Sequence, residues 1–177
     1  MRSPRTLAIT GVLAVIQVAL MLTGFGSVPL PTGLNVTILA IPAILAAVLA
    51  GPIAGAVVGG VFGVTSFAFA TTPVFQNAFI AIVPRLLIGP IAAVVHRSVR
   101  PRSDIIALGL GGVAGAIANT GLVLGLAIVL PAPSGAPYLA PGAAWDVARS
   151  NVPSEAALAA LVTIIVGVAV RSAAGRR

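Results

Sequence analysis

The residue best suited to ligand chemistry is an arginine inside an apolar stretch. Arg85 follows Pro84 and lies about 10 Å into the stretch that begins at Ala78, at 1.5 Å per helical residue. A buried arginine costs roughly 2.5–3.5 kcal/mol on insertion scales, so it should face the protein interior and have a partner. Two interpretations are open. Either Arg85 forms a structural ion pair with Glu155 or extends to the surface, or its planar guanidinium binds a ligand carboxylate or phosphate.

Amide side chains in other apolar stretches form a second group. Asn119 either joins two helices or binds a hydroxyl or amide of a ligand, because a buried carboxamide must find hydrogen-bond partners. Gln17 is predicted to make a helix–helix contact. His96 stands beside Arg97 and is predicted to be solvated.

Small residues recur at helical spacing in two apolar stretches. A four-residue repeat places glycines on one helix face, where a second backbone can approach closely, at Gly51, Gly55, Gly59 and Gly63. The first apolar stretch has small residues at Ala8, Gly11 and Ala14. The first helix of a bundle often lies at its periphery, so we expect these three small residues to contact a partner subunit.

Catalytic and nucleotide-binding motifs are absent from the sequence. It contains no Walker A, His-Glu-x-x-His or Gly-x-Ser-x-Gly segment. Three acids and one histidine supply neither a metal site nor acid–base machinery, so we expect no enzyme activity, metal or cofactor. Two alternatives are a lipid-modifying enzyme, if Asp146 and Glu155 converge on one cleft, and a structural membrane subunit.

The composition excludes a water-soluble protein. Of 177 residues, 59% are apolar and only 7% are charged, whereas a soluble domain has about a quarter charged residues. Mean hydropathy is +1.15. The arginines form no single patch, which argues against nucleic-acid binding, and there is no cysteine. The chain is therefore predicted to be an integral membrane protein.

Six apolar stretches predict an all-α bundle of six transmembrane helices in a single membrane-embedded domain, residues 1–177. A spanning helix needs roughly 20 apolar residues. The first stretch lacks an Ala-x-Ala cleavage pattern and is predicted to be retained rather than removed as a signal peptide. Pro131–Asn151 is predicted to be a long loop. The predicted spans are Thr6–Thr23, Leu34–Ala50, Pro52–Ala70, Ala78–Val95, Ile105–Leu130 and Val152–Val170.

Charge predicts the orientation of this bundle. Alternating the six spans across the membrane places eight of the ten arginines on one side and leaves Arg149 and Arg85 toward the other. Arginine is enriched in cytoplasmic segments, so both termini are predicted to be cytoplasmic and the protein is predicted to lie in the cell membrane.

The outward end of the bundle is predicted to hold a binding pocket. Its aromatic residues, Phe25, Phe67, Phe69, Phe75, Phe79, Tyr138 and Trp145, could form an interfacial belt, but a belt should appear at both surfaces. The asymmetry favours an aromatic pocket with a few polar groups. The candidate substrate-binding residues are Arg85, Asn119, Trp145, Asn77, Asn151, Glu155, Tyr138 and Asn35.

Several segments, in order, resemble one transporter family. They are Gly24–Pro31, Asn35–Pro42, Leu49–Gly55, Val61–Ser66 and Val83–Gly89. Together they resemble the substrate-binding S component of energy-coupling factor (ECF) type vitamin transporters.

The resemblance implies a six-helix subunit that binds one vitamin near the outer face. It also implies a membrane coupling subunit, contacted by the first helix, and two ATPase subunits as partners. The Pro-Arg pattern is most similar to pantothenate members, with Arg85 and Asn119 suited to an acid that carries hydroxyl and amide groups. Trp145 would close the outer loop over the ligand. Riboflavin and folate members share the architecture and remain alternatives.

Overall fold

Six helices and one short hairpin make up the part of the chain that the structure describes. This computed structural model describes residues 3–29 and 35–174. The elements, in chain order, are α1 (Pro4–Thr23), β1 (Ser27–Pro29), β2 (Asn35–Thr37), α2 (Ile41–Ala50), α3 (Pro52–Ala68), α4 (Ala78–Val99), α5 (Asp104–Val129) and α6 (Pro141–Ala174).

Helix α1 is the most peripheral of the long helices. The Ser3 side chain caps its N-terminus by accepting a hydrogen bond from the Thr6 amide, and Gly24 ends it with a left-handed φ of 73°. A narrow stripe of Thr10, Leu13 and Gln17 is buried. The remaining surface carries large exposed apolar side chains, as expected of a helix that faces lipid.

The second predicted span is wrong as a single helix. The hairpin pairs β1 with β2 in antiparallel register, and α2 begins only at Ile41. Pro42 lies in the first turn of α2, where a missing amide hydrogen costs no helical bond, so it helps to start the helix instead of interrupting a longer one. Residues 30–34, which include the predicted start at Leu34, lie outside the described residues.

Helix α2 is the centre of the bundle. Its residues from Ile41 to Val48 are all buried, and it contacts all five other helices. Ten residues rise only about 15 Å, half the thickness of a hydrocarbon core. A sharp corner at Gly51, with φ of 107°, then reverses the chain into α3. An L-residue rarely adopts this φ, which accounts for glycine at the corner.

Helices α3 and α4 approach closely along the glycine stripe. A Cβ added at Gly63 would lie 2.8 Å from the Ile82 Cα, and one added at Gly55 would lie 2.7 Å from the Gly89 Cα. At Gly59 an added Cβ would overlap the Arg85 carbonyl oxygen. The missing side chains therefore allow backbone-to-backbone contact between the two helices.

The predicted loop at 131–151 is wrong in its second half. Helix α6 begins at Pro141, a residue tolerated in a first helical turn, and continues through Pro153. At 34 residues it is about 51 Å long, well beyond a bilayer core. The fifth span, in contrast, agrees with α5 to within a residue at each end. The third and fourth predicted spans end two residues late and four residues early, respectively.

Four of the described helices are long and apolar enough to cross a membrane: α1, α4, α5 and α6. Helices α2 and α3 are shorter apolar helices, of 10 and 17 residues. The prediction of an all-helical core with six helices is confirmed, with the small hairpin as an addition. Six complete crossings remain a prediction.

The prediction that His96 is solvated is wrong. His96 is buried between helices, and its Nε2 atom lies 3.1 Å from Nη2 of Arg171 on α6. Arg171 also forms an ion pair with Asp104, which begins α5. The cluster of His96, Asp104 and Arg171 joins the ends of α4, α5 and α6. The spacing of residues within one helix does not predict a contact between different helices.

Candidate functional site

Proline and arginine act together in the first part of α4. Pro84 has no amide hydrogen, so the carbonyl of Ile80, four residues earlier, has no partner in the helical ladder. Nη1 of Arg85 donates a hydrogen bond to that carbonyl oxygen at 2.8 Å. The Pro84-Arg85 pair thus turns the guanidinium back into the bundle, where the side chain is buried.

Two aromatic rings stack on the guanidinium of Arg85. Its central carbon lies 4.6 Å from the ring centre of Phe75 and 5.2 Å from that of Phe62 on α3. Cation–π attraction of this kind contributes from about 0.5 to 2 kcal/mol, more when the pair is desolvated. The rings hold the cation in place while leaving its charge uncompensated.

No acid neutralises Arg85 within the described ranges 3–29 and 35–174. The ion pairs in these ranges join Asp104 to Arg100 and Arg171, and Asp146 to Arg149. The Nε atom of Arg85 is buried and has no hydrogen-bond partner there. The predicted structural pair with Glu155 is therefore not formed, and Arg85 keeps donors for an anion.

Glu155 has a different set of partners. Its Oε2 accepts a hydrogen bond from the Thr120 hydroxyl on α5 at 2.7 Å, and its Oε1 accepts one from the Thr37 amide of β2 at 3.4 Å. The side chain is buried. One carboxylate thus joins the hairpin, α5 and α6, and we expect it to stabilise this end of the bundle.

Replacing Glu155 with alanine should loosen the hairpin. The change leaves the half-buried Thr120 hydroxyl and Thr37 amide without their acceptor, at a cost of about 0.5–1.5 kcal/mol for each hydrogen bond lost. We expect a lower unfolding temperature and faster hydrogen exchange at the Thr37 amide, measured by mass spectrometry in detergent. Asp146→Asn, at an exposed site of the same helix, is the control and should change neither quantity. Unchanged exchange at Thr37 in Glu155→Ala would contradict this assignment.

Asn119 and Gln17 are buried amides with unsatisfied atoms. The Oδ1 atom of Asn119 has no partner among the described residues, and the same is true of both amide atoms of Gln17. Buried polar groups without partners are rare and call for water or a ligand. The predicted helix–helix hydrogen bond of Gln17 is therefore not formed in the described part of the chain.

Asn77 and Tyr138 form a contact at the same end. Oδ1 of Asn77 accepts hydrogen bonds from the Phe79 and Ile80 amides and so caps the N-terminus of α4. Its Nδ2 donates to the Tyr138 hydroxyl oxygen at 3.3 Å. Asn77 is thus a helix cap that also anchors the 131–140 connection.

The remaining predicted site residues are spread more widely. Trp145 lies on α6 and not in a loop, and it is 69% exposed. Asn151 is half-buried and accepts a hydrogen bond from Ser150 at 3.3 Å. The side chain of Asn35 lies outside the part of the chain that the structure describes. No described contact joins these three to Arg85.

Most of the aromatic residues predicted to line the pocket are instead exposed on the surface of the bundle. Phe75 alone of the seven stacks on Arg85, whereas five others are exposed and are placed as an interfacial belt would be: Phe25, Phe67, Phe69, Phe79 and Trp145. Phe62 is not among the predicted site residues, because it lies on α3 among the glycines and away from the outward end. Nothing in the spacing of residues 62, 75 and 85 indicates that they meet.

These features define the class of protein. A bundle with four helices long enough to span a membrane holds a buried arginine between two aromatic rings near one end, with no acid partner among residues 3–29 and 35–174. Polar groups from the hairpin, α5 and α6 lie at the same end. This arrangement suits a membrane protein that binds a small polar solute within the bilayer.

Comparison with known families identifies that class more closely. The family model described as ECF transporter, substrate-specific component matches residues 5–170. That range covers nearly the whole chain, and the protein therefore belongs to this family. No curated protein matches the chain in a sequence comparison. The expected family is confirmed, and with it the assignment as a transporter component.

Proposed function

We propose that this protein is the high-affinity binding subunit for uptake of a small anionic vitamin, with pantothenate as the first candidate. Family membership supports a subunit that binds a vitamin-type substrate and works with a membrane coupling subunit and ATPase subunits. Riboflavin, folate or another vitamin is the alternative cargo.

The observation that carries this proposal is the unpaired charge of Arg85. A buried guanidinium that has one backbone acceptor, two aromatic neighbours and a free Nε is stabilised further by an incoming carboxylate. Pantothenate has a carboxylate, an amide and hydroxyl groups. The unsatisfied Oδ1 of Asn119 is an acceptor for such a hydroxyl or amide hydrogen.

Native mass spectrometry of the detergent-solubilised protein tests the proposal. We expect one small anion to co-purify, and its mass identifies the cargo. Pantothenate would support the first candidate, whereas riboflavin or folate would support the alternative. Protein that never retains a vitamin, even after incubation with all three, would contradict the binding function.

The lipid-modifying alternative is weakened by the course of α6. It requires Asp146 and Glu155 to converge, but both lie on one helix, nine residues apart. That spacing separates them by about 13.5 Å along the axis and by half a turn around it. Asp146 is also exposed and pairs with Arg149 at 3.0 Å.

We also propose that both termini are cytoplasmic and that the Arg85 end faces outward in the cell membrane. Arg97 at the end of α4, Arg100 and Arg102 after it, and Arg171 near the end of α6 lie at the opposite end, as positive charge does on the cytoplasmic side. In this arrangement the hairpin and α2 together make one crossing, because α2 alone is too short.

Cysteine labelling tests this orientation directly, because the chain contains no cysteine. A membrane-impermeant maleimide should label Ser134→Cys in intact cells, and it should label Arg102→Cys and Ser172→Cys only after lysis. All three positions are exposed. The reverse pattern, or Ser134 and Arg102 reacting from the same side, would contradict the proposed topology.

Ala8, Gly11 and Ala14 remain the proposed contact with the coupling subunit. Ala8 and Gly11 are exposed, and no other atom lies within 4 Å of a Cβ added at Gly11. Ala14 instead packs partly against the core. The open space beside Gly11 would allow close approach of a partner helix.

A further inference from the structure

A cavity lies at the end of the bundle opposite Arg85. It measures about 360 Å³, which is roughly ten times the ~30 Å³ that one water occupies in the liquid. Side chains from α1, α2 and α6, together with the residue that follows α4, line it. None of them belongs to the proposed vitamin site. The lining residues are Arg5, Thr6, Ile9, Val48, Leu49, Arg100 and Arg171.

The charge around this cavity is strongly positive. Three arginines line it, and the acid paired with two of them, Arg100 and Arg171, is the single residue Asp104. Three positive charges against one negative charge leave two in excess. Arg5 takes part in no ion pair within residues 3–29 and 35–174. An anion is therefore the ligand that this cavity favours.

The apolar residues that line the cavity indicate which kind of molecule the anionic group belongs to. Ile9, Val48 and Leu49 give the cavity an apolar side, and the neighbouring Leu7 on α1 is exposed. An arginine cluster beside an apolar wall at a membrane surface matches the charge pattern of an anionic phospholipid, with its phosphate at the arginines and its chains along α1.

We propose that this cavity is a binding site for a phosphate group, supplied by the headgroup of an anionic phospholipid. The proposal concerns a site separate from the vitamin site and goes beyond the proposed transport function. The guanidinium groups of Arg5 and Arg100 provide the donors, while Arg171 is held in place by Asp104 and His96.

A pair of matched double variants tests the site. Arg5→Gln/Arg100→Gln removes two exposed arginines of the cavity, and Arg97→Gln/Arg102→Gln removes two exposed arginines of the same end that do not line it. Each protein is reconstituted with equal amounts of phosphatidylglycerol and phosphatidylcholine, and retained lipids are counted by native mass spectrometry. We expect the first variant to lose phosphatidylglycerol adducts about tenfold, and the control to keep them.

A phosphate titration distinguishes the two sources of the ligand. In phosphatidylcholine alone, inorganic phosphate is compared with chloride at equal ionic strength, with thermal stability as the readout. If inorganic phosphate does not stabilise the wild-type protein and the double variant loses its phosphatidylglycerol adducts, the ligand is the lipid headgroup. If phosphate stabilises the wild-type protein but not Arg5→Gln/Arg100→Gln, the ligand is a free phosphate at the same site. The proposal would be overturned if the two double variants retained the same amount of phosphatidylglycerol, whether or not that amount is below the wild-type level. It would also be overturned if the wild-type protein retained as much phosphatidylcholine as phosphatidylglycerol. The proposal would also be overturned if Arg5→Gln/Arg100→Gln changed only co-purification with the coupling subunit.

Discussion

Arg85→Met is expected to weaken vitamin binding by a factor of roughly 30 to more than 1,000. Methionine keeps most of the side-chain volume and removes the charge, so the ligand carboxylate would lie in a buried site without a cation. Removing one member of a buried, hydrogen-bonded charge pair costs about 2–5 kcal/mol, and each 1.4 kcal/mol changes Kd tenfold. Isothermal titration of the detergent-solubilised protein with the vitamin found by native mass spectrometry measures the change.

Two further variants separate charge from geometry at this position. Arg85→Lys keeps the charge but lacks the planar fork of donors, so we expect an intermediate affinity. Arg149→Ala removes an exposed arginine from the same end, which pairs with Asp146, and should leave the affinity unchanged. Ligand-free unfolding temperatures show whether each variant is folded. Folded Arg85→Met with wild-type affinity would show that Arg85 does not bind the ligand.

Gly59→Ala is expected to cause the largest loss of stability among single-methyl changes in α3. The added Cβ would overlap the Arg85 carbonyl oxygen, a backbone atom that moves only if α4 moves. Overpacking of this kind costs about 1–3 kcal/mol and sometimes more. For a chain of this size we expect the unfolding temperature to fall by roughly 2–12 °C. The shift of α4 should also weaken vitamin binding, because it displaces Arg85.

Gly125→Ala is the matched control for this experiment. No other atom lies within 4 Å of a Cβ added at Gly125 on α5, and alanine is about 1 kcal/mol better than glycine inside a helix. Its unfolding temperature should be equal to or above that of the wild-type protein. Equal stability of Gly59→Ala and Gly125→Ala would mean that α3 and α4 are less closely packed than described here.

Helix positions follow the sequence where apolar runs are uninterrupted. The bounds of α5 were predictable because its 26 residues are nearly all apolar or small, and a proline follows shortly after it ends. The hairpin and the short α2 were not, because 34–50 reads as one apolar run and a three-residue strand carries too few residues to show its period. The start of α6 was missed because three prolines shortly before it, at 131, 133 and 137, and a fourth at its first position, Pro141, together resemble a loop.

The candidate site divides in the same way. Residue type alone marked Arg85, since a charge inside an apolar stretch requires a special environment. Residue type also offered Glu155 as a candidate partner, in one of the two interpretations, because it is the one acid in a predicted span; the ion pairs of the described residues do not include this pair. The Glu155 carboxylate is occupied by Thr37 and Thr120 instead.

The sequence by itself determined the membrane class, the six helices, the position of the buried arginine and the family, because these depend on local composition, order and length. The tertiary structure alone decided that Phe62 and Phe75 hold Arg85, that its charge has no acid partner in the described residues, and that arginines from three parts of the chain line one cavity at the opposite end. These contacts join residues far apart in the chain, and the periodicity of one helix carries no information about which residue of another helix it meets.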